Sequence, residues 1–176
     1  EISISIFGII NRVMMFALSP VLGVSQGFLP VAGFNIGAQK NDRVKETIKK
    51  SIYFGTVLGT IIFLVIIIFK EQVISIFTND TTLLNDTPNA MLIVFLATPI
   101  ITMQLIGSAY FQAAGKAMPA LFLTLLKQGI FLIPLAYILP KFYGVVGVWW
   151  SFPIADVLST LVTVLVLKRE VDKNLQ

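Results

Sequence analysis

The chain has 176 residues, of which 56% are hydrophobic and only 12% are charged, and its mean hydropathy is +0.88. An ordinary soluble domain carries about 25% charged residues, so this composition excludes that class and indicates a membrane protein. The sequence contains no cysteine and no histidine, which excludes disulfides, thiolate metal sites and imidazole catalysis. The net charge of +4 does not require a nucleic acid partner, because basic loops facing anionic lipid account for it.

Five apolar stretches predict five transmembrane helices. The clearest runs from Ser51 to Phe69, which is 19 residues without a charge. At about 1.5 Å per residue this length just crosses a hydrocarbon core of roughly 30 Å. The predicted helices are about 2–28, 51–69, 88–114, 118–139 and 145–167. The expected fold class is therefore an all-α integral membrane protein, a polytopic helical bundle.

The longest predicted connection is 70–87, which mixes apolar and polar residues. We expect a short helix there, lying at the outer membrane interface, and four successive residues are good caps for the start of a helix, namely Asn79, Asp80, Thr81 and Thr82.

The basic residues are distributed unequally between the two ends of the predicted helices. Nine Lys and Arg residues fall at one end, in the 40–50 loop, the turn at Lys116 and the 168–173 tail, while two fall at the other. Cytoplasmic loops retain the excess of positive charge, so we place the first group and the C-terminus in the cytoplasm. We expect a multi-pass protein of the plasma (inner) membrane. The chain starts with Glu1, and we expect it to be a fragment of a longer protein.

Three charged residues lie well inside predicted helices, namely Arg12, Lys127 and Asp156. A charge at the bilayer centre costs about 2.5 to 3.5 kcal/mol on insertion scales, so each should face protein or water. At about 1.5 Å per residue all three lie roughly 13 to 17 Å deep, which permits an ion pair between Asp156 and a basic residue. Two roles stay open for this charge network: a bridge that fixes the register of the helices, or a group that takes up and releases a proton.

Uncharged polar side chains inside or at the ends of the helices are candidates for a ligand surface. These residues are Asn11, Gln26, Gln104, Gln112 and Gln128. Amides can hold water or polar ligand groups without the desolvation cost of a charge, although hydrogen bonds between helices are the alternative role. Met103 adds a soft, adaptable apolar side chain beside Gln104. We predict Asn11, Met103 and Gln104 as substrate-binding residues.

Two prolines, Pro99 and Pro153, lie inside predicted spans. Each removes a backbone donor and bends its helix, either as a hinge for a conformational change or as a static kink that improves packing.

Four stretches, taken in chain order, resemble the multidrug and toxic compound extrusion (MATE) transporters. The first is Gln26-x3-Pro30-x2-Gly33-x-Asn35-x-Gly37-Ala38, which resembles the loop after the second helix of one half of such a transporter. The others lie at 74–80, 111–116 and 144–156, the last reading Gly144-x2-Gly147-Val148-Trp149-Trp150-Ser151-x-Pro153-Ile154-x-Asp156. The resemblance covers nearly the whole chain.

The resemblance implies twelve helices in two lobes of six, with residues 1–176 forming the last five helices, a partial C-terminal lobe that pairs with an absent N-terminal lobe. It also implies a secondary transporter that exports cationic, lipophilic drugs by alternating access, coupled to H⁺ or Na⁺, with no other cofactor. We expect Gln26, Pro30, Gly33, Asn35 and Gly37 to form a gating loop, in which the glycines and Asn35 set a tight turn. Some sodium-coupled members carry an acidic residue in the helix that corresponds to 88–114, and this chain has none there.

Two alternative functions stay open beside drug export. A lipid-linked oligosaccharide flippase shares the general fold, but its pyrophosphate cargo favours a more basic cavity than Arg12 and Lys127 supply. A non-transporting membrane subunit is the third possibility. An enzyme is not expected, because Asp156 is the only carboxylate inside a predicted span.

Overall fold

The structure, a computed structural model, describes residues 2–175, and every regular element among them is helical. In a hydrocarbon environment the backbone must satisfy its own hydrogen bonds, and helices do this within each segment. The helices are α1 (Ile2–Gly37), α2 (Asn41–Ser75), α3 (Thr81–Phe95), α4 (Thr98–Ala113), α5 (Ala117–Leu125) and α6 (Ile133–Asn174). A π-helical segment, Leu126–Leu132, joins α5 to α6.

The stretch from α5 to the end of α6 is a helical hairpin. Gly144 interrupts α6 with φ 58° and ψ −145°, a backbone conformation that is essentially restricted to glycine. Lys116 pairs with Glu170, 54 positions later, whereas a straight helix would separate them by about 80 Å. At the tip, a Cβ on Gly147 would lie 2.5 Å from the carbonyl oxygen of Leu139, so the two arms meet there through backbone.

The hairpin raises the number of membrane passes to five. Three helical stretches are long and apolar enough to cross a bilayer, namely Ile2–Gly37, Asn41–Ser75 and Ala117–Asn174. The pair α3 and α4, bent by 44°, makes a fourth span, and the reversal at Gly144 divides the last stretch into two. The predicted all-α membrane bundle with about five spans is confirmed.

Two hydrophobic clusters hold the bundle together, one at each end. The first joins the end of α1 to the start of α2, the end of α4, the start of α5 and the end of α6, and its members include Phe28, Ala32, Val44, Ile48, Phe111, Leu123 and Leu167. The second joins the opposite ends through Ile10, Val13, Ile66, Met91, Val94, Phe95 and Trp149. Successive spans are therefore antiparallel, and the three basic segments meet at one end. Placing that end in the cytoplasm stays a prediction.

The segment predicted as a gating loop is helical, so the expected loop conformation was wrong, whereas its gating role stays a prediction. Pro30, Gly33, Asn35 and Gly37 lie within α1, which continues nine residues beyond the predicted end at Phe28. The helix continues through Pro30, although a proline removes one backbone donor and its ring crowds the preceding turn. The Asn35 side chain also stays within the helix, where its Nδ2 donates to the carbonyl oxygen of Val31 at 2.8 Å. A Cβ on Gly37 would meet nothing within 4 Å, so no close approach requires glycine there.

The actual turn lies at 38–40, after this motif. Gln39 adopts φ 55°, and the Lys40 amide donates to the carbonyl oxygen of Asn35, as in a Schellman helix end. The turn after α4 has the same form, with Gly115 at φ 69° and the Lys116 amide bonded to Phe111. Helices α1 and α4 thus stop at the same end of the bundle, each with a turn of the same form, at Ala38-Gln39-Lys40 and Ala114-Gly115-Lys116.

The predicted short helix over 70–87 is present in part. Residues 70–75 form a short helical segment after a break at Phe69 (φ −110°, ψ 22°), and its apolar residues Val73 and Ile74 face the second cluster, while Thr81 already begins α3. Its position at the membrane interface stays a prediction. Of the four candidate caps the structure uses Asp80, which precedes α3 and whose carboxylate accepts from the Thr82 amide at 2.8 Å.

The predicted single helix over 88–114 is broken at Leu96 and Ala97, and Pro99 lies in the first turn of α4, where a missing donor costs nothing. Immediately beside this break, α2 approaches α4 very closely. A Cβ on Gly59 would lie 2.8 Å from the carbonyl oxygen of Thr98, and one on Gly55 would lie 2.1 Å from Thr102 Cγ2. The Gly55-x3-Gly59 pair is therefore a small-residue contact of the kind that brings membrane helices together.

Candidate functional site

An open cavity of about 330 Å³ lies between α1, α4 and the first arm of the hairpin. One part of its wall is aliphatic and another is polar, which suits an amphiphilic ligand. It is lined by Leu18, Leu22, Ser25, Gln26, Leu29, Ile101, Gln104, Leu105, Ser108, Ala109, Gln112, Thr124, Lys127 and Gln128.

The cavity brings together four of the five amides identified in the sequence, namely Gln26, Gln104, Gln112 and Gln128. Helical spacing explains this convergence, because residues at intervals of three or four share one face of a helix. Gln104, Ser108 and Gln112 follow this spacing along α4. Each amide offers both donors and an acceptor, so the wall can adapt to different polar groups.

The charged part of the site is an ion pair across the hairpin. Lys127 Nζ lies 2.6 Å from Asp156 Oδ1, and the side chain of Asp156 is 5% exposed while that of Lys127 is 23% exposed. Lys127 belongs to the π-helical segment, and such segments are rare and frequently occur at functional sites. Of the two partners, only Lys127 lines the cavity.

Neighbouring hydroxyl groups on α6 do not share in binding this carboxylate. Ser159 Oγ donates to the backbone oxygen of Asp156 at 3.1 Å, and Thr163 Oγ1 donates to the backbone oxygen of Ser159 at 2.8 Å. Thr160 Oγ1 is buried and has no hydrogen-bond partner within residues 2–175. Lys127 is therefore the group that balances the buried charge of Asp156.

The remaining predicted site residues are placed away from this pair. Arg12 is exposed and makes no ion pair with any residue that the structure describes, so the expected network of three charges is a pair of two. Asn11 shares the α1 face of Leu18 and Leu22, about 10 Å further along the helix.

Met103 does not share the cavity with Gln104. Adjacent residues of a helix point about 100° apart, and the cavity face of α4 carries Ile101, Gln104 and Leu105, with Met103 on the opposite side. Sequence reasoning missed Ser25, Ser108 and Thr124, whose spacing on their helices is the signal that identifies them. Ser108 Oγ and Thr124 Oγ1 lie 2.8 Å apart and join α4 to α5.

The basic end carries ion pairs outside the membrane spans. Lys50 Nζ lies 2.7 Å from Glu46 Oε1, and its hydrogen bond and charge lower the pKa of that carboxyl group.

A larger cleft of about 600 Å³ lies at the opposite end, between the end of α2 and α3. Within residues 2–175 no three Asp or Glu side chains form a group that could hold a metal ion.

Comparison with known proteins decides the family. The MatE family model matches residues 1–138. The chain belongs to the MATE family of transporters. The Multidrug export protein MepA of Staphylococcus saprophyticus is 24% identical over 165 residues, a match that covers 94% of this chain and 36% of that protein.

Solved MATE structures agree with this fold. The MATE multidrug transporter DinF-BH is 40% identical with a TM-score of 0.86, covering 96% of this chain and 37% of that one. A MATE protein in complex with MaL6 is 21% identical with a TM-score of 0.93, covering 98% of this chain and 39% of that one. The chain thus spans little more than a third of the length of these MATE relatives.

Proposed function

We propose that this chain is the partial C-terminal lobe, the last five of twelve helices, of a secondary transporter that exports cationic, lipophilic compounds from the cytoplasm. The observation that carries the proposal is the open, amide-lined cavity inside a bundle of the MATE family. The names of MepA and DinF-BH support a multidrug cargo. Alternating access then requires the N-terminal lobe as the second wall of the path.

The same proposal holds that export is coupled to H⁺ or Na⁺. It also places the protein in the plasma (inner) membrane with its C-terminus in the cytoplasm. The cavity also supports export over the flippase alternative. A pyrophosphate needs several cationic donors, and the lining includes one charged side chain, Lys127. We propose no enzymatic role and no cofactor beyond the coupling ion.

Expression of the full-length protein in cells that lack other efflux pumps should raise their tolerance of ethidium and lower its accumulation. Gln104→Leu should weaken export about fivefold, because a buried hydrogen bond contributes about 1 kcal/mol, while Met103→Leu on the opposite face of α4 should not. Collapsing the H⁺ and Na⁺ gradients separately identifies the ion. Unchanged ethidium accumulation with well-expressed protein would contradict the proposal.

A further inference from the structure

The charge at the Lys127 end of the cavity does not suit a cationic group. Its lining includes no acidic residue among those the structure describes, and its one charged side chain is Lys127. Asp156, which neutralises Lys127, stays behind it at 5% exposure, so an entering group meets the ammonium before the carboxylate. A cationic group placed at this point is repelled and an anionic group is attracted.

The ammonium group of Lys127 has unused hydrogen-bonding capacity. It carries three donors, and its ion pair with Asp156 occupies the side directed toward α6. Gln104 and Gln128 line the same cavity, and each amide group adds two donors. A carboxylate accepts up to about four hydrogen bonds, which one ammonium and neighbouring amides can supply without a second charge.

The cavity also has an apolar share of its lining, namely Leu18, Leu22, Leu29, Ile101 and Leu105. These residues stand on the same helices as the polar ones, so a ligand can contact the aliphatic side chains with its ring system while a polar substituent reaches Lys127.

From this geometry we infer that the cavity is a subsite for the carboxylate of amphiphilic, zwitterionic substrates, with Lys127 and the cavity amides as its ligands. The inference deepens the proposed export function and rests on it. The zwitterion brings its own cation, which stays outside the subsite, and its carboxylate replaces solvent beside Lys127.

The test compares two probes in purified full-length protein: a rhodamine with a free carboxyl group and the methyl ester of the same dye. The two variants compared are Asp156→Asn, which frees Lys127, and the double variant Lys127→Gln/Asp156→Asn. Both leave the site without a buried unpaired carboxylate, so they differ only in the ammonium group.

The free acid should bind about tenfold more weakly to the double variant than to Asp156→Asn, as expected for loss of a charge-assisted hydrogen bond. The ester should bind both variants alike. Adding Lys173→Gln to Asp156→Asn, the same chemical change in the exposed tail, should alter neither affinity. Equal affinities of the acid for the two variants, or equal losses for both dyes, would overturn the inference.

Two further measurements establish what occupies the subsite and whether export occurs at all. Binding is measured in nanodiscs of phosphatidylcholine and then with added phosphatidylglycerol; competition by the anionic lipid would show that a lipid headgroup occupies the subsite and would overturn its assignment to cargo. Ethidium, which has no carboxylate, reports on the proposed function itself. If the two variants bind the free-acid dye equally well and ethidium is still exported, only the subsite is contradicted. If ethidium is not exported, the proposed function is contradicted.

Discussion

Replacing Lys127 by glutamine is expected to destabilise the protein by about 3 to 5 kcal/mol, since it leaves Asp156 buried and without a counter-charge. The converse change, Asp156→Asn, should cost much less, because Lys127 reaches the cavity and can be hydrated there. The double variant should regain most of the lost stability. Thermal denaturation in detergent, followed for the three variants, measures this asymmetry.

The matched control is Arg12→Gln, which removes a basic residue of similar depth in the span. Arg12 is exposed and has no ion pair within the described residues, so its loss should change the free energy of unfolding by less than about 0.5 kcal/mol. Equal losses for Lys127→Gln and Arg12→Gln would show that the ion pair does not contribute to stability.

The second large effect concerns the contact between α2 and α4. Gly59→Ala should destabilise the protein by about 1 to 3 kcal/mol, although alanine favours a helix by about 1 kcal/mol, because its Cβ would lie 2.8 Å from a backbone oxygen of Thr98. Gly55→Ala should be similarly harmful, since its Cβ would meet the Thr102 methyl group at 2.1 Å. Thermal stability in detergent is again the measurement.

The two glycines should differ in their response to a second change. Thr102→Ala removes the methyl group and should restore the stability of Gly55→Ala, but it should not restore Gly59→Ala, whose obstacle is backbone. Gly23→Ala, where a Cβ meets nothing within 4 Å, is the control and should be neutral or slightly stabilising. Rescue of both variants, or of neither, would show that the close contact is not the cause.

Composition and charge-free runs were sufficient to predict the fold class, because the length of a bilayer span is a local property of the sequence. The Schellman turn at Gln39 was not predictable in the same way, since Gly33, Asn35 and Gly37 are turn formers that here lie inside a helix. Tertiary packing of the end of α1 against α2 and α4 outweighs their local preference.

The sequence predicted how deep the charged side chains lie along their helices, but not which way they point. Counting along the helices placed Arg12, Lys127 and Asp156 at similar depths, yet only two of them pair, because depth contains no information on which way a side chain points. Met103 and Gln104 show the same limit, since these neighbours point about 100° apart on α4 and only Gln104 lines the cavity. The helical spacing of Gln104, Ser108 and Gln112 was visible in the sequence, but the helices that face them were not.

The most direct test of this account is the reactivity of single cysteines with a charged, membrane-impermeant thiol reagent in a cysteine-free full-length protein. The present chain has no cysteine of its own. If the cavity is a hydrated substrate path, Gln104→Cys and Gln128→Cys should react faster than Met103→Cys, and the free-acid rhodamine should slow the first two. Fast labelling of Met103→Cys, together with unreactive cysteines at 104 and 128 that the dye does not affect, would contradict the account.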